Sequence, residues 1–306
     1  MSPAREVTGT GPEPVTLDVA LDAGRVRVRL APPAEDGASL RVRLEADPDA
    51  PAGWLRGLGT VLGFLGIDRD GPSSPEERAE AAVAGATLEW DAETRRVTVR
   101  GPRDLGLRGV PLAVTVRAPQ DSELRVRAGA ARVAVEGRAG EVSVHGTGEV
   151  RLDEVAGRTD LRCGAGEVRI GRLDAPLRLT GGAGEIRVDH VHAAVEITTG
   201  AGRVRLGDVH ADVAVRAAAG DIEVADAVAG DVEIGTGVGS LWVGVHAGVD
   251  AKVVLNAAAG RVRSELPVRA DRPDQPDGGP LRVRARTGAG DVTVATARPR
   301  PALTAP

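Results

Sequence analysis

Arginine is the residue type whose spacing in this chain most suggests chemistry. Four arginines share one position in successive sequence repeats: Arg151, Arg169, Arg187 and Arg205. On neighbouring strands about 4.8 Å apart, their guanidinium groups would form a row able to bind an anionic ligand, polymer or membrane surface. Glutamates two residues before the first three arginines would neutralise that row on its own strands. Both interpretations, an anion-binding row and a surface of ion pairs, remain open.

Histidine offers a second candidate, a metal site. His192 and His210 share one position in neighbouring repeats, and Asp174 holds it one repeat earlier. Two imidazoles and a carboxylate can bind a divalent metal such as Zn²⁺. The equivalent positions elsewhere are Ala156 and Val228, which makes a chance alignment the simpler explanation. We therefore predict no metal and no other cofactor.

Catalytic chemistry finds little support in the sequence. Cys163 is the only cysteine and lies where the other repeats have small residues, which favours a packed thiol over a nucleophile. No phosphate-binding loop, dinucleotide fingerprint, HExxH or GxSxG motif occurs. Three tryptophans and one phenylalanine give no platform for stacking a polysaccharide. We expect no enzymatic activity.

Composition restricts the remaining classes of partner. The 306-residue chain has a net charge of −5, which gives no general case for nucleic-acid binding. It has no apolar run near the roughly 20 residues that span a bilayer, and no signal-peptide pattern. The sequence predicts a soluble, cytoplasmic protein. A protein partner, self-association and peripheral membrane contact stay open.

An 18-residue repeat must position these side chains. Its units open at Gly148, Gly166, Gly184, Gly202 and Gly220. Apolar and polar residues alternate twice in each unit, which predicts two strands, and Gly-Ala-Gly sequences provide tight corners. A fixed period of about 20 residues is typical of solenoids, in which each unit buries its apolar face against its neighbours.

Two closures fit this repeat: a parallel β-helix with one coil per unit, or an antiparallel meander with one hairpin per unit. The corners lack Asn-Gly and Asp-Gly hairpin pairs, and a lone apolar position between the strands suggests a third inward-facing side. That position is filled by Val155, Leu173, Val191 and Val209. We predict an all-β fold, a single-stranded parallel β-helix (β-solenoid). Val168, Ile186 and Val204 should then stack as an internal ladder.

The repeats continue less strictly on both sides. We predict a β-solenoid domain over 15–296, with disordered tails at 1–14 and 297–306. Residues 271–280 are rich in proline and glycine, so they should form a loop outside the ladder.

A helical insertion is predicted at 51–85. Its first part carries apolar residues at helical spacing. They are Trp54, Leu58, Val61, Leu62 and Leu65. This face could cap the solenoid or dock on a partner or membrane. We expect a cap, because an uncovered strand edge promotes aggregation. Ser74, Pro75 and Glu77 then mark the start of a second, short helix.

The order of these segments resembles one known family. An early strand pair, an excursion, a VPLAVTVRAP strand closing at Pro119 and tandem G-[AT]-G-[ED]-[VI]-x-[VIL] units resemble the bacterial adhesin-type, or toast-rack, β-strand-repeat family of unknown function. The resemblance covers about Val15 to Thr296. It implies a right-handed β-helix-like rack and, in some relatives, a link to envelope-stress sensing. We expect a non-enzymatic scaffold or protein-interaction module, tied to envelope stress or adhesion, with anion binding through the arginine row as the alternative.

Overall fold

The computed structural model describes residues 4–32, 38–47, 74–266 and 281–298. Within them the chain forms 23 strands and one helix. The chain divides into two compact units, Met1–Gly157 (unit 1) and Arg158–Pro306 (unit 2). The solenoid domain predicted over 15–296 therefore runs through both units. No helix in these ranges is long and apolar enough to cross a membrane.

The elements of unit 1 are β1 (Ala4–Thr10), β2 (Thr16–Ala31), β3 (Ala38–Ala46), α1 (Pro75–Gly85), β4 (Thr87–Asp91), β5 (Arg96–Arg100), β6 (Leu112–Pro119), β7 (Glu123–Ala139), β8 (Val142–Thr147) and β9 (Val150–Val155). The strand expected to close at Pro119 is β6 and is thus confirmed. Strand β2 is central, because it pairs in parallel with β5 and β6 on one edge and with β7 on the other. Strand β7 pairs onward, also in parallel, with β8 and β9.

Three antiparallel pairs interrupt the parallel order of unit 1. Strand β1 pairs with β3, β3 with β6, and β4 with β5. The prediction of an exclusively parallel β-helix is therefore wrong for this region. A tight turn reverses the chain between β4 and β5: the Asp91 carboxylate accepts a 2.7 Å hydrogen bond from the Thr94 hydroxyl, which lowers the pKa of Asp91.

The predicted N-terminal tail at 1–14 also needs correction. Residues 4–10 are strand β1, paired with β3 over its whole length. Only Gly9 of this strand is buried. Backbone pairing with β3, which the apolar pattern of residues 4–10 does not reveal, thus explains the order.

Helix α1 confirms the expected capping signature. The Ser74 hydroxyl accepts a hydrogen bond from the Glu77 backbone N–H, the Glu77 carboxylate accepts one from the Ser74 N–H, and Pro75 opens the first turn. The helix buries Ala82 and Val83. The remainder of the predicted insertion, including the apolar face from Trp54 to Leu65, lies outside the described residues.

The strands of unit 2 are β10 (Thr159–Ala165), β11 (Val168–Leu173), β12 (Leu177–Ala183), β13 (Ile186–Val191), β14 (Val195–Ala201), β15 (Val204–Val209), β16 (Val213–Ala219), β17 (Ile222–Ala227), β18 (Gly230–Val238), β19 (Leu241–Val245), β20 (Ala251–Ala259), β21 (Val262–Ser264), β22 (Leu281–Ala289) and β23 (Val292–Thr296). Even-numbered strands stack in parallel from β10 to β18, and odd-numbered strands from β11 to β19. Each repeat therefore supplies one strand to each stack.

The predicted internal ladder is confirmed. Val168 lies opposite Ile186, and Ile186 opposite Val204, in parallel register. All three side chains are at most 3% exposed. The antiparallel meander is thereby excluded for these repeats.

The apolar residues predicted to form a third inward-facing side are the last residues of the odd-numbered strands. Leu173, Val191 and Val209 are in register and fully buried. The backbone N–H of His192 donates to the Leu173 carbonyl at 2.9 Å, and that of His210 to Val191 at the same distance. The inter-coil ladder thus continues past the strand end, as expected for a third inward-facing position.

Glycine is required where one coil meets the next. Gly184 and Gly202 have φ of +133° and +125°, and a Cβ on either would lie 1.9 Å from the carbonyl oxygen of the corresponding glycine one coil earlier. The backbones therefore touch at this corner, which explains why each unit opens with glycine.

The last coils of unit 2 depart from chain order. Strand β22 pairs with β18 on one edge and β20 on the other, and β23 lies likewise between β19 and β21. The coil of β20 and β21 is therefore outermost, although it precedes β22 and β23 in the sequence. The predicted loop at 271–280 and residues 299–306 of the predicted C-terminal tail lie outside the described residues.

Candidate interaction surfaces

The arginine row is assembled as predicted in unit 2, where its members are in register. These members are Arg169, Arg187 and Arg205. Arg151 lies on β9 of unit 1. Two of the expected local ion pairs are present: Arg151 lies 2.5 Å from Glu149, and Arg169 lies 2.6 Å from Glu167.

Arg187 and Arg205 pair with carboxylates that do not lie two residues before them in the chain. Arg187 donates a 2.8 Å hydrogen bond from Nε to Asp189, which raises the pKa of Arg187. Arg205 links neighbouring coils, at 3.1 Å from Glu185 and 3.4 Å from Glu223. Every arginine of the row thus has a carboxylate within 4 Å. The row is a series of ion pairs, which does not favour an anion-binding surface.

The histidine pair stacks and does not converge. The rings of His192 and His210 lie 5.0 Å apart and are within 4° of parallel. Asp174 is engaged by Arg172 at 2.9 Å. In the described part of the chain, no group of three or more His, Cys, Asp or Glu side chains could hold a metal ion. The geometry therefore lacks the convergence of ligands that a zinc site needs.

Two other histidine contacts were missed by the sequence analysis. His190 lies 3.0 Å from Asp208 on the next strand of its stack, and His246 lies 2.8 Å from Asp226. The first pair is 18 residues apart, so the repeat itself could have revealed it. Both pairs are partly exposed and link successive coils.

Cys163 is a packed thiol, as the sequence analysis expected. Its residue is 5% exposed, and burial raises its pKa to about 11. A thiol with such a pKa is protonated at neutral pH and is a poor nucleophile.

The outer face of unit 2 carries a groove. Its volume is about 520 Å³, and small residues form its floor: Pro176, Ala194 and Ala214. The floor is fixed by the ladder, because the carbonyls of Pro176 and Ala194 accept hydrogen bonds from Thr159 and Leu177 at 2.9 and 3.0 Å. Long side chains on the surrounding strands form the walls.

The groove carries a defined charge pattern. Arg158 lies at one end and Arg284 at the other, with Asp212 near the middle and Asp231 on the next strand, opposite Arg282. Arg158, Asp212 and Arg284 make no ion pair with other described residues. The wall residues Arg178 and Glu196 form an exposed pair at 3.5 Å. The centre of the groove is therefore acidic and its ends are basic.

Sequence reasoning missed this groove, although its signal was present. Ala214 is small at a position where the neighbouring strands carry Arg178, Glu196 and Glu233. Pro176 and Ala194 share a different position, just before their strands, where the next repeat has Asp212. Small residues among long ones on adjacent coils leave a depression, and the parallel register had to be known before they could be assigned to adjacent coils.

Comparisons with known proteins give little further information. No family model matches the chain, and no curated protein is similar to it in sequence. The crystal structure of a putative cell adhesion protein from Clostridium sporogenes is similar to this chain with a TM-score of 0.22 and 10% sequence identity. The match covers 96% of this chain and 100% of the other. A TM-score of this size does not indicate a shared fold.

Proposed function

We propose that the chain is a non-enzymatic interaction module that holds an extended segment of a protein partner in the groove of unit 2. The observation that carries the proposal is a groove that crosses six strands and is lined by small residues and by charges, of which Arg158, Asp212 and Arg284 make no ion pair with other described residues. A groove of this kind fits a chain of alternating side chains better than it fits a compact substrate.

The length of the groove sets the length of the partner segment. The positions from Arg158 to Arg282 lie on six neighbouring strands, which span about 24 Å at 4.8 Å per step. An extended peptide advances about 3.4 Å per residue, so about seven residues would fill the groove. The segment would run across the strands, along the stacking direction of the coils.

The charges of the groove specify the chemistry of that segment. A basic side chain near its centre would meet Asp212, and acidic side chains at its ends would meet Arg158 and Arg284. Exposed ion pairs such as Arg178–Glu196 contribute about 0–1 kcal/mol each, so exchanging them for contacts with a partner costs little. Charge complementarity of this kind provides specificity more than affinity.

We further propose that the repeats form a single-stranded parallel β-helix and that the chain belongs to the toast-rack family. The tandem units that carry the resemblance each supply one coil of unit 2, which supports this assignment. The resemblance extends the proposed function to adhesion or envelope-stress sensing, two roles in which such a module binds another protein.

A displayed library of random heptapeptides tests the groove. We expect the enriched peptides to share a central Lys or Arg and terminal Asp or Glu. Substituting Ala214→Trp should fill the groove and weaken their binding at least tenfold by fluorescence anisotropy. The matched control is Ala134→Trp, at a half-buried outward alanine of β7, which should leave binding unchanged. Equal binding by both variants would place the site elsewhere.

A further inference from the structure

The outermost coil of unit 2 leaves core positions uncovered. Leu241 and Val292 share one register position with Val262. The first two are 1% and 0% exposed, whereas Val262 is 49% exposed. On β20, Leu255 is half-buried, although its neighbour Ala285 on β22 is fully buried. In the described chain, this end of the solenoid lacks the next layer.

Strand β20 also has an unpaired edge among the described residues. The Ala259 carbonyl accepts a 2.8 Å hydrogen bond from the Gly290 N–H, but the pairing with β22 skips Ala258, so the alternation of backbone groups is broken there. Before the skip, Val253 has the same register position as Leu177, whose N–H donates to Ala194 of the next coil. Val253, Leu255 and Ala257 therefore direct their N–H and C=O groups to the open edge. Exposed edge strands are usually protected by charges, proline or a bulge, but Lys252 is the only charged residue of β20.

We propose that this end pairs with the same end of a second copy, β20 against β20, in a closed two-fold dimer. Antiparallel pairing of the full strand Ala251–Ala259 centres on Leu255, which then faces its own image. Inward-facing residues meet inward-facing residues, because Val253 lies opposite Ala257 of the second copy. Lys252 lies opposite Ala258 of the second copy, which separates the two ammonium groups.

The hydrogen-bonding parity agrees with this register. In an antiparallel pair, residues that exchange two hydrogen bonds alternate with residues that exchange none. Leu255 directs its N–H and C=O groups to the shared edge, so the two copies of Leu255 exchange two hydrogen bonds across the axis. Val253 and Ala257 of the second copy form the next pair of this kind, whereas Val254 and Asn256, whose groups point toward β22, exchange none.

The size of the end matches the requirement for a stable dimer. A nine-residue strand spans about 30 Å, and two sheets about 10 Å apart with their side chains are about 20 Å thick. Each copy would therefore bury about 600 Å², or about 1,200 Å² in total, which reaches the lower limit for a specific interface. An isologous contact of this type closes on itself and forms no fibre.

The mass of the protein in solution tests the proposal directly. The full chain of 31.4 kDa should sediment as a dimer at about 50 µM, well above the micromolar dissociation constants of weak specific complexes. Substituting Val253→Pro removes an N–H from the open edge, leaves the bonds to β22 in place and should give a monomer. Val253→Thr, which keeps that N–H, should remain a dimer. A monomeric wild-type chain, or a dimeric Val253→Pro variant, would overturn the proposal.

A charge pair at the axis tests the register and guards against a misfolded proline variant. Leu255→Glu and Leu255→Lys should each be monomeric, because the new charge meets its own image. An equimolar mixture of the two should form a mixed dimer, detected by native mass spectrometry. A mixture that stays monomeric would refute pairing centred on Leu255. None of these residues lines the groove, so heptapeptide binding should persist in every variant, whichever outcome is observed.

Discussion

At the scale of single residues, the corner glycines have the strongest influence on the fold. Any side chain at these positions would be destabilising for two reasons: the backbone has a positive φ, and the Cβ would clash with the backbone of the preceding coil. Neither problem can be relieved by rotating a flexible group, because the atom in the way is a carbonyl oxygen. The repeat therefore depends on a residue type more strictly here than in its apolar ladders.

Replacing Gly202 by alanine tests this dependence. A Cβ would lie 1.9 Å from the Gly184 carbonyl oxygen at a φ of +125°, so we expect a loss of about 3 kcal/mol or more in unfolding free energy. The matched control is Gly235→Ala, where the nearest heavy atom, the Arg286 carbonyl oxygen, would be 3.7 Å from the new Cβ. It should change stability by less than about 1 kcal/mol. Urea denaturation of both variants gives the comparison, and equal losses would contradict it.

The Cys163 thiol provides a prediction about pH. Its pKa in the folded protein is about 11, above that of an exposed thiol, so the folded state keeps a proton that the unfolded state has lost. Stability from this residue is therefore present at neutral pH and is lost as the pH rises from about 9 to 11. Denaturation midpoints across this range should fall more steeply for the wild type than for Cys163→Ala. Parallel profiles would show that the thiol does not contribute.

At the scale of elements, the arginine row shows how register turns a charge pattern into ion pairs. Arg187 bonds along its own strand, whereas Arg205 reaches carboxylates on two adjacent strands. The sequence analysis correctly placed the arginines side by side and identified Glu149 and Glu167 as neutralising partners. It could not predict that Arg187 would pair with Asp189, because the side-chain rotamer determines which of several nearby carboxylates an arginine contacts.

The row should accordingly fail as a binding surface for polyanions. We expect little retention on immobilised heparin at about 0.15 M salt, and no further change on replacing Arg169, Arg187 and Arg205 together with glutamine. True binding through the row would be strong at low salt and fall steeply as salt rises. Strong retention abolished by the triple substitution would restore the anion-binding alternative.

At the scale of the whole molecule, the sequence predicted most reliably what the repeat imposes locally. The two strands per unit, the parallel ladder through Ile186 and the capped helix at Pro75 all follow from nearest-neighbour rules. Strand β1, the antiparallel pairs of unit 1 and the insertion of β22 between β18 and β20 do not. Each of those depends on contacts between segments far apart in the chain, for which the sequence shows no periodic signal.

The groove illustrates the same limit for function. Ala194 and Ala214 are ordinary alanines until the parallel register places them on neighbouring coils, with Pro176 one coil before Ala194. The residues singled out first, the arginines and stacked histidines, were conspicuous because of their chemistry, and the structure engages them with neighbours. The groove is formed by small side chains, which belong to no recognisable sequence motif.

The coils of unit 2 should lose structure cooperatively. In a stacked array each layer is stabilised chiefly by its neighbours, so a charge buried at Ile186 should disrupt the layers on both sides. Replacing Ile186 by aspartate should abolish most β signal in unit 2, while Ile186→Val should cost about 1 kcal/mol. Hydrogen exchange followed by mass spectrometry would detect this. Loss of protection confined to β13 would contradict cooperative stacking.

The position of β22 has a consequence for the order in which the protein is made. Strands β20 and β21 leave the ribosome before β22 and β23, yet their only strand partners among the described residues are those later strands. They cannot join the growing stack until the last coil has been synthesised and has docked on β18 and β19. Chains that terminate after β21 would therefore lose two layers and not one. Strands β20 to β23 must therefore join the stack as a single step, once β22 and β23 have been made.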